Sequence, residues 1–497
     1  MLRDVIQIHE SDNVWISLQD LEKRTLLEID GSTVELKEDV DRGHKISNRK
    51  IAAGMYIIKY GFPIGHAITD IEPGEFVHTH NVKTNLSGEL EYTYKPKIKQ
   101  QSASKNIQTF LGYRRENGDV GVRNEIWIIN TVGCINKVAE NLVKVSEKVI
   151  KHRNIDGIYH FAHPYGCSQL GDDLKYTQKI LSDLIHHPNA GGILVLGLGC
   201  ENNYIDLFKE EIGDYNQQRV KFLNVQQVED EMELGLELIE ELAEYASAFK
   251  REEVPVSELR IGLKCGGSDG LSGITANPLV GLFSDMIVES GGATVLTEVP
   301  EMFGAESILM ERAKDEETFT EIVNLVNDFK RYFVKYNQSV YENPSPGNKK
   351  GGITTLEEKS LGCVQKGGFS RIEEVLQYGD RISEKGLHLL QGPGNDLVSV
   401  TALAASGCQI VLFTTGRGTP FGGPVPTVKI STNTPLFERK KNWIDFNAGK
   451  LIEDMPMDKL ADEFFSYILD VASGRKLTNN EVFGFKEIAI FKDGVTM

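Results

Sequence analysis

Residues 260–283, RIGLKCGGSDGLSGITANPLVGLF, decide how the chain is read. The stretch opens with an apolar run of strand type, carrying Ile261 and Leu263, and closes with a helix-like run from Pro278 onward. Between them lies a turn holding Gly266, Gly267, Gly270 and Gly273, interleaved with Ser268, Asp269, Ser272, Thr275 and Asn277. Glycine lets a backbone approach a ligand closely, and a helix N-terminus offers unpaired N–H groups to an anion. In an open α/β sheet, such a strand–turn–helix puts its turn where ligands bind. Lys264 stands one residue before the turn and Asp269 inside it, so a cation and a carboxylate flank one crevice. A tight βα loop whose polar residues only cap a helix accounts for the same spacing, because lone glycine-rich turns are common.

Working outward, residues 254–497 read as one α/β unit with strands predicted at 260–265, 294–299, 387–390, 409–414 and 427–431. Two more glycine turns follow strands directly, QGPGND (391–396) and TTGRGTP (414–420). Thr415, Arg417 and Thr419 form an oxygen-and-guanidinium set of a type suited to a carboxylate or phosphate. The segment 343–352, NPSPGNKKGG, is a candidate lid or clamp. No G-x-G-x-x-G with a downstream acidic partner occurs, and no Walker A, so no nucleotide cofactor is expected.

Residues 109–253 form a second α/β unit. Predicted strands at 126–132, 158–162, 193–198 and 220–225 alternate with helical runs at 138–149, 174–186 and 228–246. In the last of these Met232, Leu236, Ile239, Leu242 and Ala246 make an apolar stripe. The turns HPYGCSQ (163–169) and GLGCENN (197–203) each follow a β-rich run, where α/β enzymes keep their sites. Residues 84–108 are polar and aperiodic and read as an interdomain linker. Residues 1–83 read as all-β, with five of the eleven histidines: His9, His44, His66, His78 and His80. On a strand, His78 and His80 would share one face. Arg42-Gly43-His44-Lys45 and Lys59-Tyr60-Gly61 set cations beside glycines, which suits carboxylate binding.

The totals narrow the function. With 497 residues, two or three domains are expected. A net charge of −18 argues against nucleic acid or an anionic membrane surface as partner. An anionic substrate then needs a local cluster of Lys and Arg. No apolar run reaches a bilayer span and the N-terminus lacks an apolar signal core, so a cytoplasmic location is expected. Six cysteines (134, 167, 200, 265, 363, 408) are spread without C-x-x-C, which fits reduced thiols.

Several long motifs in matching order resemble the altronate/galactarate dehydratase family. RGHK (42–45), KYGFPIGHA (59–67) and VHTHN (77–81) are similar to its antifreeze-like β-clip (SAF) domain. HPYGCSQLGDD (163–173), GLGCEN (197–202), CGGSDGLSGITANP (265–278), NPSPGNKKGG (343–352) and TTGRGTP (414–420) look like its large dehydratase region. TEVPEMFGAE (297–306), GITTLEEKSLGC (352–363), GPGND (392–396) and IAIFKDGVTM (488–497) resemble the altronate branch more than the galactarate branch. The resemblance implies a β-clip domain (1–83), a linker (84–108), a middle α/β dimerisation domain (109–253) and a C-terminal Rossmann-like parallel sheet with helices on both faces (254–497). It also implies a homodimer that removes water from D-altronate to give 2-dehydro-3-deoxy-D-gluconate, using Fe(II) or Mn(II). Galactarate or another sugar acid is the alternative substrate, and a non-catalytic sugar-acid binding or regulatory protein is the alternative class.

Dehydrating a 2,3-dihydroxy acid removes the proton α to a carboxylate and expels the β-hydroxyl. A base that titrates near neutrality is needed, so His163, His44 and a desolvated Lys264 are candidates. Arg417, Thr415, Lys45, Arg123, Asn277 and Asn395 are the candidate substrate contacts, with cations to neutralise the developing enolate. Asp269, Glu298 and Asp396 each follow a C-domain strand and are the candidate oxygen ligands for a hard divalent ion. The rival is an iron–sulfur cluster held by Cys134, Cys167, Cys200 or Cys265, against which stands the unclustered cysteine spacing.

Overall fold

A computed structural model describes residues 4–29, 31–86, 89–98, 108–150 and 154–497. The C-terminal part is built on a seven-stranded sheet in the order Ile372–Leu376, Gly386–Leu390, Ala293–Leu296, Arg260–Cys265, Ile410–Thr415, Thr427–Ser431, Phe446–Asn447. Every neighbouring pair is parallel. Strands such as Ile410–Thr415 (IVLFTT) are buried at every position, as parallel strands covered on both faces must be. Alternation decides which layer each side chain joins. Ile410 and Leu412 share a core cluster with Leu279 and Phe283 of the helix Ala276–Glu289. Val411 and Phe413 pack instead with Val400 and Leu403 of the helix Asp396–Ala405.

From Arg260–Cys265 the chain moves towards one edge of this sheet, and from Ile410–Thr415 towards the other. The order therefore reverses between these two neighbours, and a crevice opens outside their C-terminal ends. The opening stretch of the sequence supplies one lip of that crevice and TTGRGTP the other. The two outer strands, Ile372–Leu376 and Phe446–Asn447, escape the sequence reading because one is half charged and the other has two residues.

The middle part holds a four-stranded parallel sheet in the order Gly157–His160, Glu125–Asn130, Ala190–Gly197, Val220–Asn224. Ile126, Ile128, Leu194 and Leu196 pack under Leu142 of Asn136–Val149 and Leu242 of Glu231–Ser247. Trp127, Ile129, Ile193 and Val195 face the helix Gly171–Ile185 and join the cluster that also contains Val411 and Phe413. The two sheets thus share one apolar layer. Thr109–Arg114 pairs antiparallel with Glu252–Pro255, so the middle part begins and ends in one ribbon.

The N-terminal part is made of short antiparallel pieces, including Val14–Ser17 with Lys45–Ser47 and Tyr56–Lys59 with Phe62–Ala67. One sequence expectation fails here. The strand Phe76–Val77 stops before His78, and Asn81 N and Val82 N both donate to His78 O in a turn. His78 and His80 therefore do not share a strand face.

The expected linker at 84–108 lies partly outside the described residues (87–88 and 99–107). Its described part is no free tether. Asn85 N donates to Glu357, Tyr92 OH to Glu306 Oε1 and Tyr94 OH to Ala313 O, because tyrosine buries a ring while its hydroxyl finds an acceptor. Among the described residues no helix is long and apolar enough to cross a membrane.

Candidate active site

The crevice at the reversal point is closed by the N-terminal domain. A Cβ on Gly270 would lie 1.9 Å from Gly43 O, so only glycine allows the two backbones this approach. The segment 343–352 is wedged between them. Gly270 N donates to Gly351 O (2.7 Å), Asn348 Nδ2 to Ser268 O (2.8 Å) and Lys45 Nζ to Gly352 O (2.7 Å).

The helix Leu356–Cys363 organises the seam. Thr355 caps it by accepting from Glu358 N, and all eight of its residues are buried. Three consecutive charges then serve three parts of the molecule. Glu357 accepts from Thr84 and Asn85 at the start of the linker segment. Glu358 accepts from Lys45 (2.8 Å) and Lys59 (2.7 Å) of the N-terminal domain, all three side chains being shut off from water. Lys359 reaches Glu301 Oε1 at 2.7 Å on the C-terminal sheet edge. Burial, followed by the charge of Lys59, pulls Lys45 down to about 8 despite Glu358. Glu358 is held down to about 2, because the two ammoniums outweigh its burial.

Directly beneath lies a second buried ionic group. Lys264 Nζ sits 2.5 Å from Asp396 Oδ1 and 3.1 Å from Glu298 Oε1. Burial works against its charge, but the two carboxylates more than offset this and raise its pKa. Beside it Cys265 Sγ lies 3.3 Å from Cys363 Sγ, 3.0 Å from Glu301 Oε2 and 3.0 Å from Lys366 Nζ. The hydrogen bond from Cys363 and the nearby lysines draw Cys265 down to about 6, while Cys363 is pushed up by that same contact and by burial. Burial and the charge of Glu301 push Glu298 well up, against the pull of Lys264. Glu298 is also a non-glycine residue at φ +70°, the kind of backbone strain that collects at functional sites.

The mouth of the crevice is cationic. Arg42 reaches Asn433 Oδ1 (3.4 Å), and the exposed Arg417 side chain donates to Gly347 O (3.4 Å). His44 and His78 meet edge to face at 5.3 Å. His44 Nε2 lies 3.3 Å from Lys350 O, a pure acceptor, so Nε2 carries the proton and Nδ1 keeps its lone pair. No hydrogen-bond partner meets that Nδ1. Burial, then Lys45, lowers the pKa of His44, which keeps it neutral near pH 7. The cavity between Lys59, Asp269, Asn277, Glu358 and Cys363 measures only about 10 Å³.

The structure assembles some of the expected site and disperses the rest. His44, Lys45, Lys264, Asp269, Glu298, Asp396 and Arg417 do gather at this seam. Lys264 is no base, since two carboxylates hold it as an ammonium. Lys45 is spent on Glu358 rather than turned to a substrate. The proposed oxygen-ligand set does not form a cage: the Lys264 ammonium takes the place between Glu298 and Asp396 where a cation would sit. Asp269 braces the loop, accepting from Ser272, Thr432 and Asn433. Thr415 Oγ1 accepts from Gly418 N, Asn277 bridges Gly362 O and Thr414, and Asn395 caps the helix Asp396–Ala405. These three residues shape the turns.

His163 and Arg123 belong to the middle domain. His163 Nε2 faces Asn130 O (2.9 Å) and its Nδ1 accepts from Tyr165 N (3.2 Å), leaving no nitrogen for proton transfer. Arg123 forks onto Glu481 and also donates to Val471 O. Sequence reasoning missed Glu301, Glu358, Lys359, Cys363 and Lys366. Four of them stand inside the motifs TEVPEMFGAE (297–306) and GITTLEEKSLGC (352–363), whose resemblance to a family gives these side chains no role. Among the described residues Cys265, Glu301 and Cys363 form the one close group of metal-ligand types. Lys359 and Lys366 already neutralise it.

Three family profiles match the chain in order. They are the altronate/galactarate dehydratase SAF domain over 3–85, the D-galactarate dehydratase/altronate hydrolase second domain over 112–247, and the D-galactarate/altronate dehydratase C-terminal region over 256–496. An altronate dehydratase of Bacillus subtilis (strain 168) is 57% identical, with 100% of each chain covered. One from Escherichia coli (strain K12) is 53% identical over 99% of each chain. The galactarate dehydratase (L-threo-forming) of the same E. coli strain is 34% identical over 98% of this chain and 96% of its own.

Proposed function

The chain belongs to the altronate/galactarate dehydratase family, and from that premise we propose that it removes water from D-altronate at the seam between its N-terminal domain and C-terminal sheet. The product is 2-dehydro-3-deoxy-D-gluconate. The observation that carries the reading is His44, a buried neutral imidazole with an unpartnered Nδ1 beside a cationic mouth. Arg417 and Arg42 bind the substrate carboxylate, and a guanidinium matches it with two parallel hydrogen bonds. His44 Nδ1 takes the α-proton, and the charge that grows on the carboxylate is held by these cations and by the N–H groups of the 266–273 turn. The β-hydroxyl leaves with the proton that His44 has taken, so water departs and the imidazole returns to its neutral form. The enol then ketonises without a redox partner. A Rossmann-like description of the C-terminal sheet and a homodimer built through the middle domain form part of the same proposal.

Fe(II) or Mn(II) bound by Asp269, Glu298 and Asp396 does not fit, for the reason that Lys264 already fills that place, and no step is routed through such an ion. The test is direct. Full-length protein, prepared anaerobically with iron, is incubated with D-altronate, galactarate and D-mannonate, and 2-keto acid formation is followed. Altronate should be turned over fastest, and His44→Gln should remove most of kcat. Faster turnover of galactarate would move the substrate assignment. Binding without turnover of any of the three would replace the enzyme by a sugar-acid binding protein.

A further inference from the structure

The C-terminal edge of the middle sheet carries a second constellation that the dehydration site leaves unused. Three adjacent strands, Gly157–His160, Glu125–Asn130 and Ala190–Gly197, each lead into a turn containing a Gly-Cys pair: Gly166-Cys167, Gly133-Cys134 and Gly199-Cys200. The turns are tied to one another. Gly133 N donates to Tyr165 O (2.8 Å), Asn203 N to Gly166 O (3.0 Å) and Ser168 N to Asn202 Oδ1 (2.7 Å). A Cβ on Gly166, which has φ +97°, would lie 2.0 Å from Thr131 O. The backbone beside Cys167 is thereby pressed against the turn that carries Cys134. All three thiols are exposed, whereas Cys265, Cys363 and Cys408 are buried. Free cysteine is among the most buried residue types, so three exposed on one small edge point to a ligand.

We propose that this edge is a three-thiolate site that holds a four-iron iron–sulfur cluster, with one iron left for a small oxygen ligand such as water or a hydroxy acid. Soft thiolates favour iron–sulfur centres, zinc or cuprous copper. A structural zinc closes on four protein ligands, and in these turns the other donors are taken: His163 has both nitrogens engaged, and Glu201 accepts from Thr131 and from the N–H groups of Leu198 and Gly199. The cluster is built from two ferrous ions, two ferric ions and four sulfides supplied from solution, so its core charge balances without an outside oxidant. Each cysteine releases its proton to solvent as one iron–thiolate bond forms, and the protein exchanges no electrons. This placement also gives iron a home that the lysine-filled carboxylates of the other sheet edge do not. It rests on the position of the cysteines and stands apart from the dehydration reading.

The experiment reconstitutes full-length protein anaerobically with ferrous and ferric iron and sulfide, then measures iron, acid-labile sulfide and visible absorbance. Wild type should hold about four of each per chain. Cys134→Ser, Cys167→Ser and Cys200→Ser should each lose most of the chromophore, and Cys408→Ser should keep it, with far-UV circular dichroism confirming that every variant is folded. Zinc bound at one per chain without sulfide overturns the proposal. So does a wild type without chromophore, or one whose chromophore survives all three substitutions. Altronate turnover is scored separately, so failure of one reading leaves the other distinguishable.

Discussion

The C-terminal sheet and the middle sheet both end their strands in glycine-rich turns, but they finish those edges differently. At the C-terminal sheet the turns bury Lys264, Glu298, Glu301, Lys359 and Lys366 beneath an N-terminal domain that adds Lys45 and Lys59. At the middle sheet the turns carry almost no charge at their tips and leave Cys134, Cys167 and Cys200 in solvent. One edge keeps ionised groups out of water, where fixed charges act strongly on a substrate. The other keeps soft donors within reach of solvent, where a metal centre can be loaded.

The contrast breaks first if the covered edge is not held by its charges. Glu358→Ala strands two ammoniums that have no water, and losing one partner of a buried ion pair costs about 3–5 kcal/mol. Urea denaturation should show a loss in that range. A loss below about 1 kcal/mol would mean that the seam already admits water and is not the closed site described.

The next test concerns the mouth. Arg417 is not engaged by Asp445, whose carboxylate accepts from Lys429 N and Asn479 N. Among the described residues its guanidinium meets one acceptor, Gly347 O, at 3.4 Å, which leaves the rest of the fork for a ligand that lysine cannot match. Arg417→Lys should therefore cost on the order of 2–4 kcal/mol of transition-state stabilisation, with kcat falling and KM rising. The melting temperature should stay at the wild-type value. A fallen melting temperature with intact kcat would make Arg417 a loop brace.

A smaller effect separates the edges by pH. Burial first, then the charges of Lys45 and His44, lower His78 from 6.5 to about 4, against the weaker pull of Glu358; His80 adds to the lowering and Thr354 faces the ring. Between those two values the unfolded chain binds the extra proton. The stability contributed by neutral His78 is complete above pH 6.5 and is lost as the pH falls towards 4. His78→Gln should flatten that acid limb by about 1 kcal/mol, solvent screening at this half-buried site being allowed for. An unchanged limb would remove His78 from the seam's electrostatics.

Much of this was legible in the sequence, and the reasons differ by level. Apolar strands such as Ile410–Thr415 and glycine turns such as 266–273 are local signals, so the sheets and both crevice lips could be placed. The identities of charge partners are not local. Lys264 reads as a base until Glu298 and Asp396, from two other strands, are seen to share it. Nothing local in GITTLEEKSLGC says that three separate elements converge on Glu357, Glu358 and Lys359. The cysteines show the same limit of local reading. Their wide spacing argued against a common site, yet parallel neighbours bring residues 134, 167 and 200 to one edge, because a βα repeat returns the chain to that edge each time.

The smallest predicted effect sharpens the open edge. In protein prepared without iron, exposed thiols make few contacts, and surface changes of this kind stay within about 0.5 kcal/mol. Cys134→Ser, Cys167→Ser and Cys200→Ser should therefore leave the urea midpoint of the metal-free chain unchanged. A ligand that binds only the folded form adds stability according to its saturation, about 2.7 kcal/mol at a hundredfold excess over Kd. Reconstitution with iron and sulfide should therefore raise the wild-type midpoint and leave the three variants where they were. If serine at position 134 destabilises the metal-free chain by more than about 1 kcal/mol, Cys134 packs the turn in its own right. The open edge would then be a structural element like its covered counterpart, and the distinction between the two sheets would collapse.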